Sequence, residues 1–326
     1  MVLSLIRRLT AVVGLVASVA VAAPAWAWSQ LVVFGDSLSD SGNNALLIGT
    51  DPDQVITGNG YVPTFPYASG TYSDGPVWAT SFAAGLGLDL QPSLAGGSNY
   101  AFGGARTSGG QVPSLQVQVT TFLGDAGGVA ASDALYVLAG GGNNARDALS
   151  AIAFDGAPLG RTLLLNAVTY ARDMRQMVNQ LQAAGAADIV VWNVPNLGLA
   201  PAVASLGAEA SFLGQLVSST MNNALARQFA GVEGVRIFDL YGLIGEAVAN
   251  PAAYGLANVT DACGAVAGCD PWTYLFWDGI HPTSAGQALL ADAMMVTVAI
   301  PEPGMVWLFA AGLGVVLLVR RRRQPI

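Results

Sequence analysis

Short apolar runs alternate along this chain with longer segments of helical periodicity. Residues Thr162–Ala184 and Ser211–Phe229 have the apolar spacing of amphipathic helices. Gly185 and Asp188 mark the turn from the first helix into the next apolar run. Strands that alternate with helices pair in parallel and are covered on both faces, so the pattern predicts an α/β fold. The predicted strands are Leu31–Phe34, Ala134–Leu138, Ile189–Trp192 and Val235–Phe238.

A serine stands directly after the first predicted strand, in the sequence FGDSLSDSGNN of residues 34–44. Ser37 lies on a Gly-Asp-Ser-Leu turn just beyond Gly35, and open α/β sheets bind their ligands at this end of their strands. A serine there can act as a nucleophile when a base and an anion-stabilising pocket lie nearby.

The base is the single histidine of the chain, His281, in the sequence WDGIHPTSAG of residues 277–286. Asp278 precedes it by three residues, a spacing that lets the carboxylate accept from one ring nitrogen. The other ring nitrogen is then free to take the serine proton. A structural loop histidine is the alternative, and the Ser37 turn together with the acid spacing favours the base.

Two glycine-containing segments are candidates for the pocket. The sequence NYAFGGA of residues 99–105 offers a backbone N–H at a glycine pair, where a substrate can approach closely. The sequence GGGNNA of residues 140–145 follows an apolar run and places Asn143 at a strand end. An asparagine amide can donate to an oxyanion without carrying charge. Taken singly, such glycine pairs are usually turns.

Together and in this order, the four segments resemble the SGNH (GDSL) hydrolase family over about residues 31–295. Ser37 matches its nucleophile block, Gly104 its glycine block and Asn143 its asparagine block. Asp278 and His281 match its final Asp-x-x-His block. The segments PSLAGGSNYAFGGA and SDGPVWATSFAAGLGL look like those of larger bacterial GDSL esterases and lecithinase-like lipases.

Two points within this resemblance stay open. Many members carry Asp where this chain has Asn144, a departure that does not touch the proposed donor. Gly103 could replace Gly104 as the pocket glycine, because sequence does not separate adjacent amides.

The resemblance implies a three-layer α/β/α sandwich with a flavodoxin-like parallel sheet, the SGNH hydrolase fold. It also implies hydrolysis of a small-molecule, lipid or polysaccharide ester through an acyl-enzyme on Ser37, with no cofactor. The oxyanion would be held by the N–H groups of Ser37 and Gly104 and by the Asn143 amide. Acyl transfer to another alcohol is one alternative, and a catalytically silent surface- or matrix-binding protein is another.

Two elements outside the motifs shape the expected site. Residues Ile48–Ser73 are rich in Gly, Pro, Tyr and Thr and predict a long loop that lines the substrate cleft. The alternative is a solvent loop without substrate contact. After His281, Pro282 and Thr283-Ser284 predict the start of a last helix that continues to about Met295.

The N-terminus has the pattern of a signal peptide over residues 1–27. Arg7 and Arg8 precede an apolar stretch, and Ala25-Trp26-Ala27 supplies a small-x-small cleavage site. An uncleaved anchor is the alternative. Residues 28–299 then form one domain, long enough to bury a full sheet.

The C-terminus, residues 300–326, has a second targeting pattern. Pro301-Glu302-Pro303 precedes the uncharged apolar run Met305–Val319, and Arg320–Arg323 follow. The run is short against the roughly 20 residues of a stable span, and its basic end should stay cytoplasmic. The arrangement resembles the PEP-CTERM sorting tail of Gram-negative bacteria, which implies an exosortase-type processing enzyme and transient membrane contact. It places the domain in the periplasm, cell envelope or extracellular matrix. A plain membrane anchor is the alternative.

Charge and cysteine content fit an exported domain. Residues 28–300 contain 7 arginines, 20 acidic residues and no lysine, a net charge of −13, which argues against nucleic-acid binding. Cys263 and Cys269 are expected to pair in an oxidising compartment. So small a ring constrains the unfolded chain by only about 2 kcal/mol, and we expect it to fix the loop of Asp278 and His281. Two cysteines and one histidine are too few ligands for a closed zinc site.

Overall fold

A computed structural model describes residues 28–299 of the 326-residue chain. The predicted signal peptide, residues 1–27, and the predicted sorting segment, residues 300–326, lie outside the described residues. No helix within residues 28–299 is both long and apolar enough to cross a membrane.

A four-stranded parallel sheet forms the centre of the fold. Its neighbouring strands are Gln30–Gly35 (β1), Ala134–Ala139 (β2), Asp188–Trp192 (β3) and Val235–Phe238 (β4). All four predicted strands are therefore confirmed, with differences of one residue at some ends. The prediction succeeds for β1, β2 and β3 because each is a nearly continuous apolar run. Strand β4 lies at the edge of the sheet and interrupts its apolar run with Arg236.

An extended segment pairs with the outer edge of β1 and completes the expected order. The Val33 N–H donates to the Ser98 carbonyl (3.1 Å), and the Tyr100 N–H donates to the Val33 carbonyl (2.7 Å). This segment lies between β1 and β2 in sequence, yet it flanks β1 on the side away from β2. With it, the order across the sheet is flavodoxin-like. This extended segment leads directly into Gly103 and Gly104, which therefore lie near the carboxyl end of β1.

Helices cover both faces of the sheet, which confirms the three-layer sandwich. Alternate β1 side chains point to opposite faces: Val32 and Phe34 into one apolar core, Leu31 and Val33 into the other. The first core is covered by Leu115–Asp125 (α3), Gly142–Ala153 (α4), Leu159–Ala184 (α5) and Ala208–Phe229 (α7). The second is covered by Trp78–Gly85 (α2), Leu240–Ala249 (α8) and Ser284–Val298 (α9). Two short helices, Asn43–Ile48 (α1) and Pro201–Ala204 (α6), complete the described set.

The two long predicted helices start earlier than predicted and end where predicted. Helix α5 begins at Leu159 and α7 at Ala208, each three residues earlier than predicted. Pro158 and Gly207 stand immediately before them, and these residues rather than the apolar spacing determine where the helices begin. The predicted end of α5 is correct, because Gly185 takes φ +118° at its C-terminus.

The last helix begins as predicted and runs slightly further. The Thr283 hydroxyl caps α9 by accepting the Gly286 N–H (3.2 Å), and the helix continues to Val298 rather than about Met295. His281 therefore stands two residues before the cap residue of α9, and this capped helix fixes the chain on the C-terminal side of His281.

A second, two-stranded parallel sheet lies beside the histidine loop. It pairs Asn258–Ala262 (β5) with Tyr274–Phe276 (β6), and a disulfide joins Cys263 to Cys269 between them. The Gly264 N–H donates to the Trp277 carbonyl (2.9 Å), so the disulfide loop contacts the residue that precedes Asp278. This little sheet was not predicted from the sequence.

Candidate active site

The nucleophile turn begins at Gly35, where β1 packs tightly against β2. A Cβ at Gly35 would lie 2.7 Å from the Ala139 carbonyl oxygen, so no larger residue fits there. Gln118 holds the same glycine from both sides: its Oε1 accepts the Gly35 N–H (2.8 Å), and its Nε2 donates to the Gly35 carbonyl (2.9 Å). Ser37 therefore follows a strand end that is fixed by close packing and by two buried hydrogen bonds.

Ser37, His281 and Asp278 meet at this turn in one line of contacts. Ser37 Oγ lies 2.8 Å from His281 Nε2, and His281 Nδ1 lies 2.7 Å from Asp278 Oδ2. Asp278 is fully buried and His281 is 3% exposed. The carboxylate accepts the Nδ1–H, which leaves Nε2 unprotonated and facing the serine hydroxyl. The arrangement can move a proton from Ser37 to the imidazole.

Asp278 has three further hydrogen-bond donors besides the His281 imidazole. Its Oδ1 accepts the backbone N–H groups of Ile280 and His281, both at 2.8 Å, and its Oδ2 also accepts the Tyr67 hydroxyl (2.7 Å). Burial and the Asp278 charge raise the pKa of Tyr67, so this hydroxyl stays a donor. Tyr72 stacks on the imidazole at a ring-centroid distance of 5.4 Å. Sequence reasoning missed both tyrosines, whose loop carries no periodic signal.

The structure distinguishes the two glycines that the sequence left open. The Gly103 N–H donates to Asp40 Oδ2 (2.9 Å), so it is already used within the protein. The Gly104 N–H has no acceptor among the described residues, and Gly104 takes φ +83°, which favours glycine. Gly104 lines the same cleft as Ser37. Of the two amides, only that of Gly104 is available to a ligand.

Asn143 lies in the first turn of helix α4 rather than at a strand end. Gly141, at φ +116°, turns the chain from β2 directly into this helix, which the sequence reasoning did not predict. One Asn143 amide N–H donates to the Ala105 carbonyl (2.9 Å), and its Oδ1 accepts from Arg146 Nη1 (3.2 Å). The amide is therefore oriented by two partners, and its second N–H remains for the cleft.

A buried aspartate, Asp40, ties the nucleophile turn to the glycine pair. Besides Gly103, it accepts the N–H groups of Gly42, Asn43 and Asn44 at 2.7–3.2 Å. Burial raises its pKa, while these N–H donors act in the opposite direction. The sequence offered a signal that we missed, since an aspartate two to four residues before free N–H groups caps a helix start.

Asn144, the residue that departs from the family pattern, is hydrogen-bonded to Thr107. Its Oδ1 accepts the Thr107 N–H (3.0 Å), and its Nδ2 donates to the Thr107 hydroxyl (3.2 Å). That hydroxyl in turn donates to the buried carboxylate of Asp173 (3.0 Å). Asn144 thus holds the loop beyond Gly104, and among the described residues its side chain makes no hydrogen bond to the Asn143 side chain.

The site opens into a cleft of about 510 Å³. Four residues of the loop that follows α1 line it, so this loop contributes to the cleft as expected: Val62, Pro63, Thr64 and Tyr72. Helix α1 adds Leu47 and Ile48, and Val112 and Ile280 complete an apolar wall. An apolar group of a ligand fits such a lining.

Another buried carboxylate, Asp36, directly precedes Ser37. Burial raises its pKa to about 6, although the Leu38 N–H and the charges of His281 and Arg146 favour its ionised form. Within the described residues, no group of three His, Cys, Asp or Glu side chains is arranged to hold a metal ion.

The chain is similar to several known proteins. The family model for GDSL-like Lipase/Acylhydrolase matches residues 31–294. Esterase EstA of Pseudomonas aeruginosa is 32% identical over an alignment that covers 81% of this chain and 46% of that protein. A phosphatidylcholine-sterol acyltransferase of Aeromonas hydrophila is 28% identical, with 73% and 66% covered. The chain spans about half the length of the first curated relatives that it matches. Among solved structures, an extracellular lipase of Streptomyces rimosus aligns with a TM-score of 0.46 and 18% identity, covering 82% of this chain and 99% of that one.

Proposed function

Because the chain belongs to the GDSL-like lipase/acylhydrolase family, we propose that it cleaves carboxylic esters through an acyl-enzyme on Ser37. One observation carries the proposal: Ser37 Oγ, the His281 imidazole and the Asp278 carboxylate are joined by contacts of 2.8 and 2.7 Å. A hydroxyl so placed can lose its proton at the moment of attack.

In the acylation step, Ser37 Oγ bonds to the ester carbonyl carbon while its proton passes to His281 Nε2. The carbonyl oxygen becomes an oxyanion, stabilised by the N–H groups of Ser37 and Gly104 and by the Asn143 amide. The bond between the carbonyl carbon and the alkoxy oxygen then breaks. His281 gives its proton to the leaving oxygen, and the alcohol departs.

In the deacylation step, a water molecule replaces the alcohol and attacks the acyl carbon. His281 Nε2 takes one water proton and returns it to Ser37 Oγ as the acyl–serine bond breaks, which releases the acid. No cofactor takes part. If another alcohol replaces the water, the same steps transfer the acyl group to that alcohol. The similarity to the Aeromonas protein named as an acyltransferase supports this alternative.

A chain-length series of p-nitrophenyl esters tests the proposal. We expect hydrolysis by the purified protein and its loss in Ser37→Ala. A maximum at acetate would indicate an acetylesterase, and a maximum at long chains a lipase. Added alcohols that divert product from acid to ester would indicate acyl transfer. No turnover of any ester would contradict the proposal and favour a silent surface- or matrix-binding protein.

We also propose that the protein is exported. Residues 1–27 act as the signal peptide, residues 28–299 are the hydrolase domain, and residues 300–326 are a sorting tail removed by an exosortase-type enzyme. Intact-mass analysis of the mature protein in its host should then give an N-terminus near Trp28 and a C-terminus near Pro303. A chain truncated after Ile300 should keep its kcat/KM. Membrane-bound active protein that retains Arg320–Arg323 would contradict removal of the tail.

A further inference from the structure

The charge of the catalytic cleft is opposite to that of the domain around it. Residues 28–300 contain 20 acidic residues against 7 arginines and no lysine. Yet the residues lining the cleft include two arginines, Arg106 and Arg146, and no aspartate or glutamate. A cleft that collected charged residues at random from this domain would be lined mostly by carboxylates.

The two arginines are not equivalent. Arg106 makes a bidentate ion pair with the carboxylate of Asp147, through Nε and through Nη2, the latter at 2.9 Å from Oδ1. This pair neutralises Arg106 locally. Among the described residues, no carboxylate lies within ion-pair distance of Arg146. The net positive charge of the cleft lining therefore comes from Arg146.

Arg146 also has donors to spare. Its single hydrogen bond within the described residues runs from Nη1 to Asn143 Oδ1 (3.2 Å), which uses one of the five N–H groups of a guanidinium. Burial lowers the pKa of Arg146, and Asp147, Asp278 and Asp36 act on it electrostatically from beyond ion-pair distance. A guanidinium remains charged under such shifts. It is thus a partly desolvated cation with free N–H groups at the wall of the cleft.

Arg146 and its free N–H groups lie beside the proposed oxyanion donor, Asn143. The Asn143 amide that accepts from Arg146 is also the proposed donor to the oxyanion, so the guanidinium is one residue removed from the scissile bond. We infer that Arg146 is the anion-binding group of the cleft, and that the preferred substrates are esters with a carboxylate or phosphate group close to the scissile ester. This inference rests on the ester hydrolysis proposed above.

Three aryl acetates that share one acyl group test the inference: meta-acetoxybenzoate, meta-acetoxyphenyl phosphate and methyl meta-acetoxybenzoate. The first two carry a carboxylate and a phosphate, and the third is the neutral reference. After correction for uncatalysed hydrolysis, we expect kcat/KM to be about 10- to 100-fold higher for at least one anionic ester than for the neutral one, mainly through KM. The arm with the larger preference identifies the anionic group.

Arg146→Gln should reduce that preference to near unity. Arg146→Lys should retain part of it, because lysine keeps the positive charge but lacks the paired N–H donors of a guanidinium. Arg161→Gln is the matched control, because it removes the same charge from an exposed site on α5 and should leave the preference unchanged. The preference should also weaken as salt is added. A wild-type preference near unity would overturn the inference. So would an Arg146→Gln variant that loses activity equally on all three esters, since Arg146 would then only orient Asn143.

Anion binding, measured without turnover, tests this inference independently of the proposed ester hydrolysis. Titration of benzoate and of inorganic phosphate into the Ser37→Ala protein needs no turnover. We expect binding of at least one anion in Ser37→Ala and its loss when Arg146→Gln is added. No binding of either anion, or equal binding in both proteins, would overturn the inference even if esters are hydrolysed. Anion binding without turnover of any ester would support the subsite and contradict the hydrolase.

Discussion

The two sides of Ser37 are built differently. On the base side, Asp278 receives four hydrogen bonds, from Tyr67, from the imidazole and from two backbone N–H groups. On the oxyanion side, the N–H groups of Ser37 and Gly104 have no acceptor among the described residues. The proposed base already has its hydrogen-bond partners in this structure, whereas the proposed oxyanion donors are free for charge that would exist only during the reaction. Substitutions on the two sides should therefore affect ester hydrolysis differently.

The largest effect is expected on the base side, at Asp278. In Asp278→Asn an amide NH₂ can face His281 Nδ1, which favours the tautomer with its proton on Nε2, where it cannot accept the Ser37 proton. We expect kcat to fall about 10⁴-fold. Asp270→Asn, in the same region but without contact to the ring, is the control and should stay within about twofold, as surface changes usually do. Near-native activity of Asp278→Asn in steady-state ester assays would mean that another acid orients the imidazole.

Asn143→Ala should remove one proposed oxyanion donor and leave the contacts of His281 and Asp278 unchanged. Loss of one neutral donor is expected to lower kcat by about 10²–10³-fold, because the lost hydrogen bond forms only in the transition state. KM should change much less, and this division between kcat and KM distinguishes the two sides. A fall in kcat below about threefold would show that Asn143 serves as a turn residue and that the donor lies elsewhere.

Tyr67→Phe tests how far the base side depends on its fourth hydrogen bond. Asp278 keeps three donors, so we expect kcat/KM to fall only about three- to tenfold, in line with one lost hydrogen bond to a charged group. Tyr61→Phe is the matched control: its hydroxyl donates to Gln54 Oε1 in the same loop. If both variants lose the same activity, the loop rather than the Tyr67 hydroxyl is responsible.

Asp36 should affect stability more than chemistry, and its effect depends on pH. An aspartate carboxyl ordinarily has a pKa of 3.8, and burial raises the pKa of Asp36 to about 6 in the folded protein. The folded state therefore binds this proton more tightly, so its contribution to stability is present below pH 3.8 and is lost as the pH rises to about 6. The shift corresponds to about 3 kcal/mol.

Asp36→Asn should accordingly raise the free energy of unfolding at pH 8, by up to about 3 kcal/mol. The gain should nearly vanish at pH 4, where the folded wild-type carboxyl is already neutral. Urea unfolding at the two pH values measures this difference, with the exposed Asp155→Asn as control. A gain of equal size at both pH values would rule out titration of Asp36 as its cause.

The same comparison explains what could be predicted from sequence. Asp278 and His281 lie three residues apart, and His281 is the sole histidine, so their pairing is a local property of the chain. Gly104 and Asn143 come from separate segments, and only the resemblance to a family brought them together. Tyr67 reaches Asp278 from a loop more than two hundred residues earlier, a contact that no local pattern encodes.

The parts of the fold that were missed have a similar cause. Helix α4 opens on glycines, which are poor helix formers, so the first turn that places Arg146 beside Asn143 was not predicted. Strand β5 has the polar sequence NVTDA, and its end is held by Asn59, which accepts the Ala262 N–H (2.9 Å). Strands β1, β2 and β3 of the main sheet were predictable because burial on both faces requires apolar residues.

The most direct test of the account is the identity of the nucleophile. We expect a fluorophosphonate to place one phosphonyl group on each protein molecule, and peptide mapping by mass spectrometry to locate it on Ser37. Ester hydrolysis should be lost in proportion to labelling, and Ser37→Ala should take no label while its thermal unfolding remains cooperative. Labelling at another residue, together with ester hydrolysis that survives in Ser37→Ala, would contradict the account.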